Sequence, residues 1–228
     1  MPFLRFSQAG LNLGFLPDIN VAQIVIAFVV LLFSLTVHES AHAWTADRLG
    51  DPTARLLGRV SLNPIVHADP IGTVLFPLLA MISGVPIIGW AKPVPVSIRR
   101  LRHPRRDYVL VAAAGPASNL IMAFIAASLL AVMPISPLVL DEMNVTVPLA
   151  TLFSVAVQLN LLLAVFNMLP IPPLDGGNVL AGVLPPALSA RFELIRPYGF
   201  LLIYAVILTR AFFYLVVIPY RFLRTLLP

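Results

Sequence analysis

The chain has 228 residues, 59% of them hydrophobic and only 11% charged, with a formal net charge of +5 and a mean hydropathy of +0.94. A soluble domain carries about a quarter charged residues, so the composition excludes one and points to an all-α polytopic membrane protein forming a single membrane-embedded domain over 1–228. The basic residues sit in short loops between apolar runs, where they read as topology signals and not as a nucleic-acid surface, and the absence of cysteine leaves only His and carboxylate to hold a metal.

In chain order, Met1 to Asn20 shows no long apolar core before a small-residue cleavage site, so the first span is expected to be retained. This N-terminal piece suits an interfacial strand or an amphipathic segment. Val21 to Val37 is apolar and, continued through Ala46, is long enough to span with tilt. Asp51 to Asn63 is polar and contains Arg55 and Arg59. Ile71 to Trp90 is apolar but broken by Gly72, Pro77, Gly84, Pro86 and Gly89. The next stretch, AKPVPVSI (Ala91 to Ile98), has alternating prolines, which suit an exposed edge strand or extended segment. Arg99 to Arg106 is the most basic patch. Tyr108 to Met133 and Leu149 to Leu169 are spans, joined by a loop holding Asp141 and Glu142. The last apolar region, Tyr198 to Tyr220 within a C-terminal membrane segment 191–228, is interrupted by Arg210. It reads as a helix, or as a short hairpin with Arg210 at its tip. Trp44 and Trp90 read as interface anchors.

The positive-inside rule places the basic loops around 48–59 and 92–106 in the cytoplasm and the acidic loop outside. Both basic loops share one face only if Ile71 to Trp90 dips in and returns; a full crossing is the alternative. Irregular backbone at that depth needs protein cover or a wet cavity.

His38 and His42 are four residues apart near the end of the first span, so on a helix they share one face. With Glu39 they form the HExxH arrangement, in which two His bind zinc and the Glu is a general base. Intramembrane ionisable groups are costly and mark function, although a wet helix end would also accommodate them. Catalytic zinc takes three protein ligands and leaves one position open. Asp175, in NMLPIPPLDGGNVL, is the best third ligand: the topology returns it to the side where HESAH ends. A DGG taken alone is more often a plain turn.

HESAH, AAGPASNL (Ala113 to Leu120) and FNMLPIPPLDGG (Phe166 to Gly177), in that order, resemble the site-2 protease family of intramembrane zinc metalloproteases. SLNPIVHADPIGT and GWAKPVPV resemble its compact prokaryotic branch, which lacks PDZ and CBS domains. The resemblance covers about 21–182. It implies a three-helix metalloprotease core, here with a re-entrant or short extra segment and a C-terminal helix or hairpin. It further implies one Zn2+ per chain held by His38, His42 and Asp175, with Glu39 as base. The implied substrates are transmembrane proteins cut within or beside the bilayer of a prokaryotic (inner) membrane, with the site towards the cytoplasm.

Asn119 and Asn167 are candidate oxyanion or substrate donors; helix–helix hydrogen bonds are their other common use. Gly115 and Pro116 allow close packing against HESAH. AKPVPVSI is a candidate substrate-capturing edge. His67 and Asp69 are compatible with a gate at the metal, with support of a ligand His, or with a capped turn. Membrane lipid is an expected partner; a regulatory partner and the oligomeric state stay open. Two other classes compete. A metal transporter would use several ligands along a path through both faces, whereas one dense cluster is present. A binding scaffold needs no intact cluster, and here every ligand and the Glu are present.

Overall fold

The computed structural model describes residues 21–83, 89–133 and 146–228. Expectations for Met1 to Asn20, for Gly84 and Pro86, and for the acidic loop with Asp141 and Glu142 lie outside the described residues. Among the described residues, three single helices are long and apolar enough to cross a membrane: α1 (Val21–Arg48), α5 (Pro104–Val132) and α6, which runs Thr146–Asn167. No proline or glycine interrupts α1, so the helix that starts as a span carries HESAH in its last turns. It ends where Leu49 and Asp51 fold back, the Asp51 N–H reaching Ala46 O at 2.9 Å.

Helix α5 is the hub and packs against α1, α6 and, further on, α7 (Asp175–Val183). Its buried face carries Ala112, Gly115, Asn119, Ala123, Ala126 and Ala127. Side chains this small let backbones approach closely, which is how membrane helices gain packing energy when lipid offers no hydrophobic driving force. Further along α5 the bundle closes on an apolar cluster of Ala123, Ala127, Val157 and Leu161.

Between α1 and α5 the chain makes two single turns, α2 (Thr53–Leu56) and α3 (Pro64–His67), then a π-turn (Pro70–Leu75) leading into α4 (Phe76–Ser83). This apolar helical stretch, Pro70–Ser83, is too short to span. Its far end comes back to its near end: Trp90 N–H bonds Gly72 O at 3.0 Å, Thr73 Oγ1 donates to Trp90 O at 2.8 Å, and Lys92 N–H bonds His67 O at 2.9 Å. The two ends of the segment therefore meet, as the re-entrant reading requires. Trp90 packs edge-to-face on Phe76, with centroids 5.3 Å apart, and so helps to close this hairpin. Trp44 and Trp90 are both exposed, and the Arg48 guanidinium lies 5.0 Å from the Trp44 ring.

Ala91 to Ser97 is extended, as its prolines require, but no strand occurs among the described residues. Side chains strap it in place. Arg59 belongs to a loop read as a topology signal, yet it is only 7% exposed. Its guanidinium donates to the carbonyls of Val66, Lys92 (2.5 Å) and Pro93 (3.0 Å), tying both ends of the hairpin together. Asp51 accepts from Ser97 N–H at 2.6 Å, from Thr53 N–H at 3.1 Å and from the Thr53 hydroxyl.

After α6 come α7, α8 (Pro186–Glu193) and α9 (Gly199–Leu208), then a π-turn (Phe213–Val217) into α10 (Ile218–Thr225). The chain bends by 87° between Leu208 and Phe213. This C-terminal piece is a right-angled elbow, the shape of a broken span or of a re-entrant loop, with exposed Arg210 at the corner. Val206 and Val216, one on each arm, pack with Val165 and Leu169 of the α6 end.

Burial acts to raise the Asp51 pKa, but the hydrogen bonds from Thr53 and Ser97 outweigh it and hold the carboxyl below its ordinary value of 3.8. A depressed carboxyl contributes stability above its unfolded pKa and loses it as the pH falls through the folded one. Asp51→Asn is expected to melt earlier in detergent, by ~1–3 kcal/mol of lost charge-assisted hydrogen bonding. The gap to wild type should stay constant above about pH 4 and close below it, as read from melting curves at several pH values.

Candidate metal centre and active site

Helix geometry puts His38 and His42 one turn apart on the α5-facing side of α1, and both are buried. Each ring has a partner behind it. His42 Nδ1 lies 2.7 Å from Val111 O, and His38 Nδ1 lies 2.6 Å from Asn119 Oδ1. Both partners are oxygen acceptors, so each imidazole carries its proton on Nδ1 and leaves Nε2 bare. The two Nε2 atoms are 3.1 Å apart. Asp175 Oδ2 stands 3.0 Å from the first and 3.4 Å from the second, buried and without a hydrogen-bond donor. Three lone-pair-bearing atoms that converge in an apolar bundle repel one another unless a cation sits among them.

Two glycines make the convergence possible. A Cβ built on Gly115 would lie 2.4 Å from His42 Nε2 and 2.6 Å from His38 Nε2, so only glycine lets α5 pass the imidazoles. Asp175 begins α7, which packs against α5, and the chain from Pro170 to Leu174 turns tightly between α6 and α7. A Cβ on Gly176 would lie 2.2 Å from Met168 O. The DGG is thus a turn and also the means of carrying Asp175 inward.

Among the described residues, His38, His42 and Asp175 form the group of His and carboxylate atoms able to hold a metal, all within 4.8 Å of one another. Two imidazoles and a carboxylate, with no thiolate anywhere in the chain, are a donor set suited to catalytic zinc with an open fourth position. Glu39 stands outside this group; its Oε2 accepts from Val94 N–H of the extended segment at 3.1 Å. All four side chains face a cleft of about 840 Å³. Its walls are mostly apolar: Leu31 and Leu35 of α1, Leu163 and Phe166 of α6, Met81 of α4 and Ile203 of α9.

The remaining candidates separate by position. Asn167 lies on the cleft wall in the last turn of α6. Asn119 is fully buried behind His38, its oxygen towards that imidazole and its Nδ2 donating to Asn160 Oδ1 at 2.8 Å. His67 and Asp69 are outside the three-atom group. Asp69 caps the π-turn, accepting from Ile71 N–H at 3.0 Å and Gly72 N–H at 2.7 Å. His67 is buried, with Nε2 2.8 Å from Ser61 O and 3.3 Å from Ser40 Oγ. Burial is the main influence on it and lowers its pKa; the Ser61 carbonyl opposes that shift and Arg59 adds to it. Sequence reasoning did not assign roles to Val111, Val94, Asn160 or Ser34. The first two act through backbone atoms, which leave no residue-type signal. Asn160 was legible only as a polar residue inside a span.

Comparison with known proteins decides the family. The model of peptidase family M50 matches residues 26–142 and 132–207. This chain belongs to peptidase family M50, the site-2 proteases. The M50 chain is 42% identical over 181 residues to a Bacillus subtilis (strain 168) protein named "Putative zinc metalloprotease YwhC", with 79% of each chain covered. It is 29% identical over 181 residues to the zinc metalloprotease Rip2 of Mycolicibacterium smegmatis, likewise named "Putative", covering 79% of this chain and 65% of that one. The correspondingly named Rip2 of Mycobacterium tuberculosis is 33% identical over 156 residues, covering 68% and 56%. No solved structure matches the chain. The zinc cofactor of an M50 protein thus has a fitting donor set here.

Gly115→Ala is expected to abolish metal retention while leaving α5 helical, since its methyl would fall where the two imidazole nitrogens meet. Zinc per chain in purified protein should drop from about one towards zero, with the far-ultraviolet helix signal retained.

Proposed function

We propose that this chain is an intramembrane zinc endopeptidase of the HExxH type, hydrolysing peptide bonds within or next to transmembrane segments of other membrane proteins. One observation carries the reading: the group of His38, His42 and Asp175 opens onto a cleft walled by apolar side chains of spanning and re-entrant helices. Such walls suit a polypeptide arriving from the bilayer.

His38, His42 and Asp175 hold the metal. A bound zinc supplies Lewis-acid polarisation of the scissile carbonyl and makes a water acidic enough to react near neutral pH. Glu39 takes the proton of the attacking water and hands it to the leaving amine. Its hydrogen bond to Val94 N–H holds the carboxylate beside the metal group yet apart from it, which suits a base and not a ligand. Asn167, on the cleft wall, binds the substrate backbone or the developing oxyanion. The amide of Asn119 is committed to His38 and Asn160, which favours a supporting role over its candidacy as an oxyanion donor. A helical substrate hides its carbonyls in i to i−4 bonds, so helix-breaking residues near the scissile bond promote cleavage.

The site lies towards the cytoplasmic side of a bacterial inner membrane. The metal ligands of α1 are within the last turns before the Arg48–Arg59 loop, and the exposed Arg99, Arg100 and Arg102 lie just before α5.

Glu39→Gln should retain about one zinc per chain and lose ~10²–10⁴-fold in cleavage of a helix-destabilised model substrate; loss of the metal would make Glu39 a ligand and overturn the mechanism. Because the chain has no cysteine, Arg102→Cys gives a single reporter. A membrane-impermeant thiol reagent should label it only after cells are permeabilised, and labelling of intact cells would reverse the orientation.

A further inference from the structure

The two ligand imidazoles are oriented by different means. His42 gives its Nδ1–H to a backbone carbonyl, Val111 O, whose direction α5 fixes. His38 depends on a side-chain amide, and an amide has two unlike ends, an oxygen that accepts and an NH2 that donates. If Asn119 turned over, its NH2 would face His38 Nδ1. The imidazole would then accept there and carry its proton on Nε2, pointing at His42 and Asp175. A metal needs that nitrogen bare. The direction of one amide therefore selects the tautomer of one ligand.

What fixes that amide lies on the neighbouring helix, α6. Asn119 Nδ2 donates to Asn160 Oδ1 at 2.8 Å. Asn160 Nδ2 donates in turn to Ala156 O and to Ser34 Oγ, both at 2.9 Å. Ala156 O can only accept. It forces the NH2 of Asn160 towards itself and hence the oxygen of Asn160 towards Asn119. That oxygen demands the NH2 of Asn119, which leaves the oxygen of Asn119 for His38. Ser34, Asn119 and Asn160 are all fully buried, so solvent does not compete for any link.

We propose that Asn160 and Ser34 are positioning residues that hold Asn119 in the orientation keeping His38 in its Nδ1–H tautomer, and thereby set the affinity of the site for zinc. The inference rests on the zinc-site reading above. It spans 126 residues of sequence between Ser34 and Asn160 and joins α1, α5 and α6 at the level of the ligands.

The test is zinc affinity of the purified full-length protein in detergent, by competition with a chromogenic chelator, together with apo-protein melting. Asn160→Leu, close in size but unable to hydrogen-bond, should weaken zinc binding ~10–100-fold, as loss of an outer partner of a ligand His does. Ser34→Ala, a milder change, should weaken it by a smaller factor with the melting temperature retained. The decisive comparison repeats Asn160→Leu in an Asn119→Asp background. A carboxylate presents an acceptor oxygen whichever way it turns, so it has no direction to fix, and Asn160→Leu should then cost little further affinity. Equal losses in both backgrounds would mean that Asn160 acts through packing alone and would overturn the proposal, as would unchanged affinity in Asn160→Leu and Ser34→Ala. Wild type that binds no zinc would overturn the zinc-site reading itself, an outcome distinct from either.

Discussion

Three lone pairs aimed at one point inside an apolar helix bundle are the constraint on which this molecule is organised. Imidazole nitrogens 3.1 Å apart, with a carboxylate oxygen 3.0 Å from one of them, are held together only if each ring is anchored from behind and no atom intrudes from the side. Val111 O and Asn119 Oδ1 supply the anchors, and Gly115 removes the intruder. The hub position of α5 follows, because that one helix provides both anchors and the gap. Polar groups buried this deeply cost several kcal/mol each when unpaired, so the chain of amides behind His38 has to be complete.

A second set of contacts solves a different problem. Between α1 and α5 the backbone is irregular, and irregular backbone in a membrane must find its hydrogen bonds within the protein. Buried Arg59 satisfies carbonyls at both ends of the re-entrant hairpin, and Asp51 takes the N–H of Ser97. These straps hold Ala91 to Ser97 extended along the cleft without a partner strand. They also deliver the Val94 N–H to Glu39. The same loop thus closes the hairpin and places the one carboxylate of HESAH that is free of the metal group.

The cleft completes the relation between fold and family. M50 membership and relatives named as zinc metalloproteases agree with a His, His, Asp donor set. The wall opposite α1 comes partly from the C-terminal elbow, whose two arms pack on the end of α6. An elbow is the compromise for an apolar region too long to lie in one short helix and broken at Thr209 and Arg210, with Arg210 left on the outside.

Much of this was legible in the sequence because the signals are local. Apolar runs gave α1, α5 and α6 to within a few residues; i, i+4 spacing put His38 and His42 on one face; glycine in GPASN and DGG marked close approaches; and the order of motifs pointed to the family. Asp175 could be chosen as third ligand because it stands in a Pro-broken, Gly-flanked segment just after a span, and the expected topology returns it to the side where HESAH ends. Tertiary structure decided the rest. Whether Ile71 to Trp90 crosses or returns depends on bonds such as Trp90 to Gly72, which no periodicity encodes. Arg59 looked like one more topology charge until the fold wrapped three carbonyls around it. Asn119 and Asn167 were indistinguishable as membrane asparagines, yet one faces the cleft and the other stands behind a ligand, because their helices are rotated by packing. Hydrogen-bond direction along Ser34, Asn160, Asn119 and His38 is a property of four residues on three helices. A sequence specifies each donor and acceptor, but only their juxtaposition decides which end of an amide faces the metal site.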